Sequence, residues 1–258
     1  MKLEHHKVPS CMCRRLALML TACLICLSPV LAQSPLNLPS WFWNPPGNPD
    51  TKTAVGYSRP YYYPASSYDE AFEDAALRLW QDQECTIRAA MGSVTTGPET
   101  MSMGGIADIQ SDTTGFSIFK DGLVRIDSCW SEELVLMFVG TKQVKVTRTL
   151  IPPPAEVLTY PNSDNYIIAK STAEAYHFKT SSWQAAERYA RRNLALAANS
   201  QIRSLRSTQN LRMRKVITIE STVHFYNIST LGRFVDAATG ACIVEIGVNR
   251  NDISIVEH

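Results

Sequence analysis

The chain states one pattern twice. Ala54-Val-Gly-Tyr-Ser58, a Ser66-Ser-Tyr start signal and then Ala71, Ala75 and Leu79 at helical spacing are matched by Ile167-Ile-Ala-Lys-Ser171, Ser181-Ser-Trp, Ala186, Ala190 and Leu194. Further on, Phe116-Ser-Ile-Phe119 and Val124-Arg-Ile-Asp127 correspond to Phe225-Tyr-Asn-Ile228 and Arg233-Phe-Val-Asp236, and Leu134 to Gly140 corresponds to Ile243 to Asn249. A long period present only twice predicts a duplicated domain. A solenoid needs several short copies to close a core.

The first 32 residues read as a secretory signal. Arg14 and Arg15 precede the apolar run Leu16 to Leu27, Ser28-Pro29 breaks it, and Val30-Leu-Ala32 offers small residues for cleavage. The run is too short for the roughly 20 apolar residues of a membrane span. Within the same stretch Leu20-Thr-Ala-Cys23 has the form of a lipoprotein box, with Cys23 as a possible lipidation site. Apolar Leu24-Ile-Cys-Leu27 follows it where a lipoprotein has a polar tether, so cleavage after Ala32 is the expectation and lipidation the minor alternative.

Loss of the leader removes four of the 25 Lys+Arg and one of the 24 Asp+Glu, leaving 21 against 23, a net charge of −2. That balance supplies no basic field for nucleic acid or anionic lipid. Cys85, Cys129 and Cys242 remain, which allows at most one internal disulfide in an oxidising compartment. Their separations fit no zinc pattern, and small apolar packing is the expected role.

The segment 33–52 is rich in Pro and Trp, and Pro39, Pro45, Pro46 and Pro49 around Trp41-Phe-Trp43 predict an extended lead-in that docks on the first domain. The first unit, 53–149, is expected to open with a strand at Thr53 to Ser58 and pass a rigid aromatic loop, Pro60-Tyr-Tyr-Tyr-Pro64. Ser66 or Ser67 then caps a helix running to about Met91, with Tyr68, Ala71, Phe72, Ala75, Leu79 and Ile87 on its inner face. Alanine at successive turns marks the line where the helix approaches a sheet closely. Met91 to Thr114, with Gly104-Gly105 as turn or hinge, reads as a long loop. Asp121-Gly122 predicts a tight hairpin between Phe116–Phe119 and Leu123–Ile126, and Leu134 to Val139 adds a strand.

Pro152-Pro-Pro154 and Pro161 mark 150–164 as a semi-rigid linker without sheet or helix. The second unit, 165–258, repeats the plan: a strand at Tyr166 to Ser171, a helix from Ser181 or Ser182 to about Arg206, then strands at Val216 to Ile228, Phe234 to Ala237 and Ala241 to Val248. Its helix carries Arg188, Arg191, Arg192, Arg203 and Arg206 where the first carries Asp69, Glu70, Glu73 and Asp74. A solvated face is the ordinary role for such residues, and attraction between the units is the sharper one. The fold class expected is α+β, two tandem similar units, each one amphipathic helix on a small antiparallel sheet.

Leu38-Pro-Ser-Trp-Phe-Trp-Asn-Pro-Pro46, Ala54-Val-Gly-Tyr-Ser58 and Ala71-x3-Ala75-x3-Leu79 resemble the LPP20-type lipoproteins of bacterial cell envelopes, which have relatives among outer-membrane flagellar proteins of the P and T types. The resemblance is strongest over Leu38 to Ala90. In the second unit Ala169 stands for Gly56 and Arg191 for Ala76. It implies a scaffold role and brings no catalytic residues.

The residues themselves offer little catalytic chemistry. His177, His224 and His258 form no ligand pair, and neither a Gly-x-Ser-x-Gly elbow, a Ser-x2-Lys pair nor a Walker loop occurs. Asp127 and Asp236 are expected to stabilise turns. No cofactor, no metal and no nucleic acid are expected. Two functions remain. The first is a non-enzymatic exported protein of the periplasm or outer-membrane periphery, assembling with itself or with envelope proteins through Trp41, Trp43, Tyr61, Tyr62 and Tyr63, with outer-membrane contact possible. The second is a periplasmic ligand-binding protein or hydrolase with a pocket between the units, lined by Tyr61 to Tyr63 and the 91–114 loop.

Overall fold

A computed structural model describes residues 36–46, 51–96, 99–154, 165–203 and 215–255, and Asn37–His258 form one compact unit. The leader, Cys23 and most of the proline-rich linker lie outside the described residues. The fold class is α+β, built from small antiparallel sheets with helices packed on them.

The first half contributes a three-stranded sheet of β2 (Thr53–Ser58), β6 (Val135–Gly140) and β5 (Val124–Trp130), in that order. Helix α2 (Pro64–Gln83) packs on β2 and β6. The contact is as close as its alanines predict: a Cβ on Gly56 would stand 2.0 Å from the Ala71 carbonyl oxygen and 2.3 Å from the Ala75 nitrogen. Around that line Ala54, Leu79, Val135, Met137 and Val139 close the core.

The second half contributes β8 (Tyr166–Ala173), β11 (Cys242–Asn249) and β10 (Ser229–Val235), again in that order, with α4 (Lys179–Arg203) packed on β8 and β11. Trp183, Ala186, Ala190 and Leu194 are fully buried on its inner face. The two sheets thus share one strand order.

Several elements differ from the sequence expectation. Helix α2 begins with Pro64 at its first turn and stops at Gln83, and the chain passes directly into β3 (Glu84–Thr96). The stretch expected as a loop is strand: β3 forms a hairpin with β4 (Glu99–Gln110), which contains Gly104-Gly105. The reason is long-range. β3 pairs with β9 (Lys215–Tyr226) from Glu84↔Tyr226 to Thr95↔Lys215, and β12 (Ile253–Ile255) extends the sheet, so the halves share a four-stranded sheet ordered β12-β9-β3-β4. Backbone partners far away in sequence outweigh the local helical period.

Phe116–Asp121 is a helix, α3, instead of a hairpin strand, and Gly115 at φ 85° turns the chain into it. Its Phe116 and Phe119 rings lie 6.0 and 5.0 Å from that of Trp80 on α2. The lead-in likewise holds a helical turn, α1 (Ser40–Trp43), between its prolines. It is preceded by β1 (Leu38–Pro39), which pairs with β7 (Leu150–Ile151), so the start of the expected linker is sheet.

Candidate functional site

Two features stand out among the described residues: a buried ionic junction beside a cavity, and an exposed aromatic edge.

The junction is built by helix spacing. Arg78 and Asp82 lie one turn apart on α2, and Glu187 and Arg191 lie one turn apart on α4. Arg78 pairs with Glu187, and Arg191 Nη2 meets Asp82 Oδ1 at 2.5 Å. Arg233 on β10 donates from Nη2 to Glu187 Oε1 at 2.9 Å, from Nε to the Tyr57 hydroxyl at 2.9 Å and from Nη1 to the Phe42 carbonyl at 3.1 Å. Tyr57 in turn donates to Glu187. Arg78 Nε reaches Asp74 Oδ2 at 2.7 Å, and the same carboxylate oxygen accepts the Tyr57 backbone N–H at 2.8 Å.

These groups are deeply placed: Arg233 is 2%, Glu187 and Arg191 5% and Asp82 8% exposed. Burial pushes the Asp82 carboxyl above its ordinary range, against the pull of Arg191. Burial also works against the charge of Arg191, yet Asp82 more than offsets it and the guanidinium holds its proton more tightly than usual. One buried nitrogen of that guanidinium, Nη1, has no hydrogen-bond partner.

A cavity of about 230 Å³ opens beside the junction, with Arg78, Asp82, Glu187, Arg191 and Arg233 among its walls. Lys52, Asn227, Asn249 and Asp252 also line it. Lys52 Nζ is held by Asn227 Oδ1 at 2.6 Å, and Asn227 takes the left-handed backbone, φ 55°, in the turn between β9 and β10. A more open groove of about 430 Å³ shares Arg78, Glu187 and Arg191. Neither is lined by Tyr61, Tyr62 or Tyr63, although the groove lies between the two halves and Ala107 and Ile109 of the 91–114 stretch line it, as expected of the pocket between the units.

The aromatic edge is formed by the loops that enter the two long helices. Tyr61, Tyr62 and Tyr63 precede α2 and are 37%, 90% and 69% exposed; Tyr176 and Phe178 precede α4 and are exposed as well. Both loops are pinned alike. The Tyr61 N–H donates to Ser67 Oγ at 2.8 Å, and the Tyr176 N–H donates to Ser182 Oγ at 2.9 Å. The serines expected as helix caps thus hold the preceding loop from inside the first turn. The Arg59 guanidinium lies 4.5 Å above the Phe178 ring and joins the two loops. Tyr61 shares a hydrogen bond with Glu70, which raises its phenol above the usual range.

Trp41 and Trp43 belong elsewhere. They are buried, 3% and 0% exposed, and form no part of the exposed edge. Trp41 stacks on Phe138 at 5.1 Å and donates to Asp127 Oδ2 at 2.9 Å; Trp43 donates to the Ile151 carbonyl at 3.1 Å. Asp127 therefore anchors the lead-in from within β5, where a turn role was expected. Asp236 does hold a turn, accepting from the Ala238 and Thr239 N–H groups at 3.0 and 2.8 Å.

Cys85 and Cys242 are buried free thiols, and Cys129 is a half-buried one. Among the described residues no group of three or more His, Cys, Asp or Glu is placed to hold a metal ion. No described helix is long and apolar enough to cross a membrane. No family model matches the chain, and no curated protein or solved structure does.

The ionic junction escaped sequence reasoning in its partners, though not entirely in its members. Arg191 departs from the alanine at the corresponding position of the first helix, Ala76, and that departure was the available signal.

Proposed function

We propose that this is an exported, non-enzymatic protein of the bacterial cell envelope that works by contact, through the tyrosine loop before α2 together with the loop before α4. The supporting observation is the exposure of Tyr62 and Tyr63 beside Tyr61, Tyr176 and Phe178, on loops held by Ser67 and Ser182. Large, stiff side chains on a preordered backbone lose little freedom on binding, which is the property of contact residues. Replacing Tyr61, Tyr62 and Tyr63 together by Ser leaves the fold intact and weakens capture of envelope partners from crosslinked envelope fractions. Undiminished capture by the folded variant refutes the loop as the contact.

Export rests on the leader: cleavage after Ala32 gives a mature chain beginning at Gln33, and mass spectrometry of the N-terminus distinguishes it from an acylated Cys23. The resemblance to LPP20-type proteins adds the scaffold role. A duplicated origin is supported by the common strand order of the two sheets and by the repeated serine contact, and superposing residues 53–140 on 166–249 tests it.

A second function, ligand binding, is favoured by one observation, the cavity against the ionic junction. Buried ion pairs beside a cavity are costly to keep for stability alone, and such places are binding-site candidates.

A further inference from the structure

The open edge of the shared sheet is unguarded. In the order β12-β9-β3-β4 the outer side of β4 has no neighbouring strand among the described residues, and β4 runs for 12 residues, Glu99–Gln110. A bare edge is a template for another strand, and proteins guard theirs with lysine or other charges, with proline or by brevity. The other sheet edges of this chain follow that habit: β5 carries Arg125, β8 Lys170 and β10 Arg233, while β2 has six residues and β12 three. β4 contains neither Lys, Arg nor Pro, and its charges are Glu99 and Asp108. Arg192 takes one of its carbonyls, that of Gly105, at 3.3 Å.

A bulge in β4 selects what fits. Ala90 pairs with Ile106 but Gly92 pairs with Met103, so Gly104 and Gly105 together stand opposite Met91. The extra residue inverts the alternation, and the arms Glu99–Met103 and Ile106–Gln110 turn residues of opposite parity to the open side. A twofold axis at Gly104-Gly105 therefore sets outward backbone groups against outward backbone groups along both arms. It puts Glu99 opposite Gln110 of the second copy, Met101 opposite Asp108 and Ser102 opposite Ala107, so that no like charges meet. A slip of two residues one way opposes Glu99 to Asp108 twice, and a slip either way takes the bulges out of step.

We propose that β4 is a self-association edge, on which the β4 of a second copy pairs antiparallel about Gly104-Gly105 and joins the two four-stranded sheets into one. The occupant is a second copy because this edge matches itself in length, bulge and charge. The surface is separate from the tyrosine loop and goes beyond the contact assigned to it.

Sedimentation equilibrium of the protein as purified from cells tests the proposal. A dimer is expected at micromolar concentration. Met101→Glu, which places a carboxylate opposite Asp108 twice in the dimer, should weaken dimerisation about tenfold, whereas Met101→Lys should hold or tighten it. Ser102→Cys with Ala107→Cys, in a Cys129→Ser background, should give a disulfide-linked dimer on mild oxidation, with position 102 joined to position 107 in the peptide map. Opposed Cα atoms of an antiparallel pair lie about 4.5–5.5 Å apart, whereas the two positions lie roughly 15 Å apart along one strand, too far to bridge within a copy. Where Met101→Glu does not fold, Met101→Lys and the cysteine pair carry the test. The dimer is expected to persist when Tyr61, Tyr62 and Tyr63 are replaced by Ser, and its loss there would move the interface to the tyrosine loop and overturn the edge. A monomer at every concentration overturns the proposal and leaves the tyrosine loop as the contact. A dimer indifferent to Met101→Glu, or one that the cysteine pair does not trap, overturns it as well.

Discussion

Arg191 on α4 donates to Asp82 on α2 across 2.5 Å in a place where both side chains are nearly sealed from solvent. One turn earlier on each helix Arg78 meets Glu187 with the signs reversed. The two helices are therefore linked by two ion pairs of opposite polarity.

Removing one partner should be far worse than removing both. Asp82→Ala leaves a buried guanidinium uncompensated and is expected to cost about 3–5 kcal/mol, whereas Asp82→Leu with Arg191→Met should cost much less because neither charge remains. Urea unfolding of the two variants checks this. Equal destabilisation would show that the pair contributes by shape alone.

Gly56 should not accept even a methyl group. A Cβ there falls 2.0 Å from backbone on α2, which cannot yield as a side-chain tip can, so Gly56→Ala is expected to push α2 off β2 at a cost of about 1–3 kcal/mol or more. The corresponding Ala169 on β8 already carries a Cβ, and Ala169→Gly should lower Tm only slightly. A Gly56→Ala protein as stable as the parent would contradict the close helix approach.

Acid should loosen the lead-in. Although partial burial acts against its charge, Asp127 is held below its ordinary 3.8 by Arg148, Trp41 and the Ser128 N–H. Its folded value is depressed, so its contribution is complete above 3.8 and is lost as pH falls through the lowered value. Tryptophan fluorescence should report release of Trp41 in that acid window, and Asp127→Asn should weaken the lead-in at neutral pH and flatten the acid response. An unaltered acid response in Asp127→Asn would assign the transition to other carboxylates.

Thiol labelling should rank the three cysteines of the described fold. Burial pushes the Cys85 thiol up to about 11 and the Cys242 thiol up to about 12, while Cys129, its thiol also raised by burial, is only half-buried. Peptide mapping after brief alkylation of native protein is expected to find Cys129 modified first, with Cys85 and Cys242 protected until unfolding. Early labelling of Cys85, which lies beside Arg191 at the start of β3, would mean that this end of the shared sheet opens readily.

The sequence by itself determined the elements whose signals are local. Alternating and continuous apolar runs located β2, β6, β8 and β11, and the alanines at 71, 75, 186 and 190 named the helix faces that meet the sheets, because side-chain periodicity follows from backbone geometry alone. It also singled out Tyr61 to Tyr63 as aromatics held between prolines, and these are exposed. Only the tertiary structure decided where α2 ends, since Glu84 to Ala90 reads as helix until β9 supplies its backbone partners from the other half of the chain. The same is true of α3, whose Phe116 and Phe119 need Trp80 to define an inner face, and of Trp41 and Trp43, whose burial depends on Phe138, Asp127 and Ile151. The ionic junction lies furthest from local reading: an arginine at 191 is a surface residue by composition, and it becomes buried only when Asp82, 109 positions earlier, is brought against it as α4 packs on the shared sheet of β3 and β9.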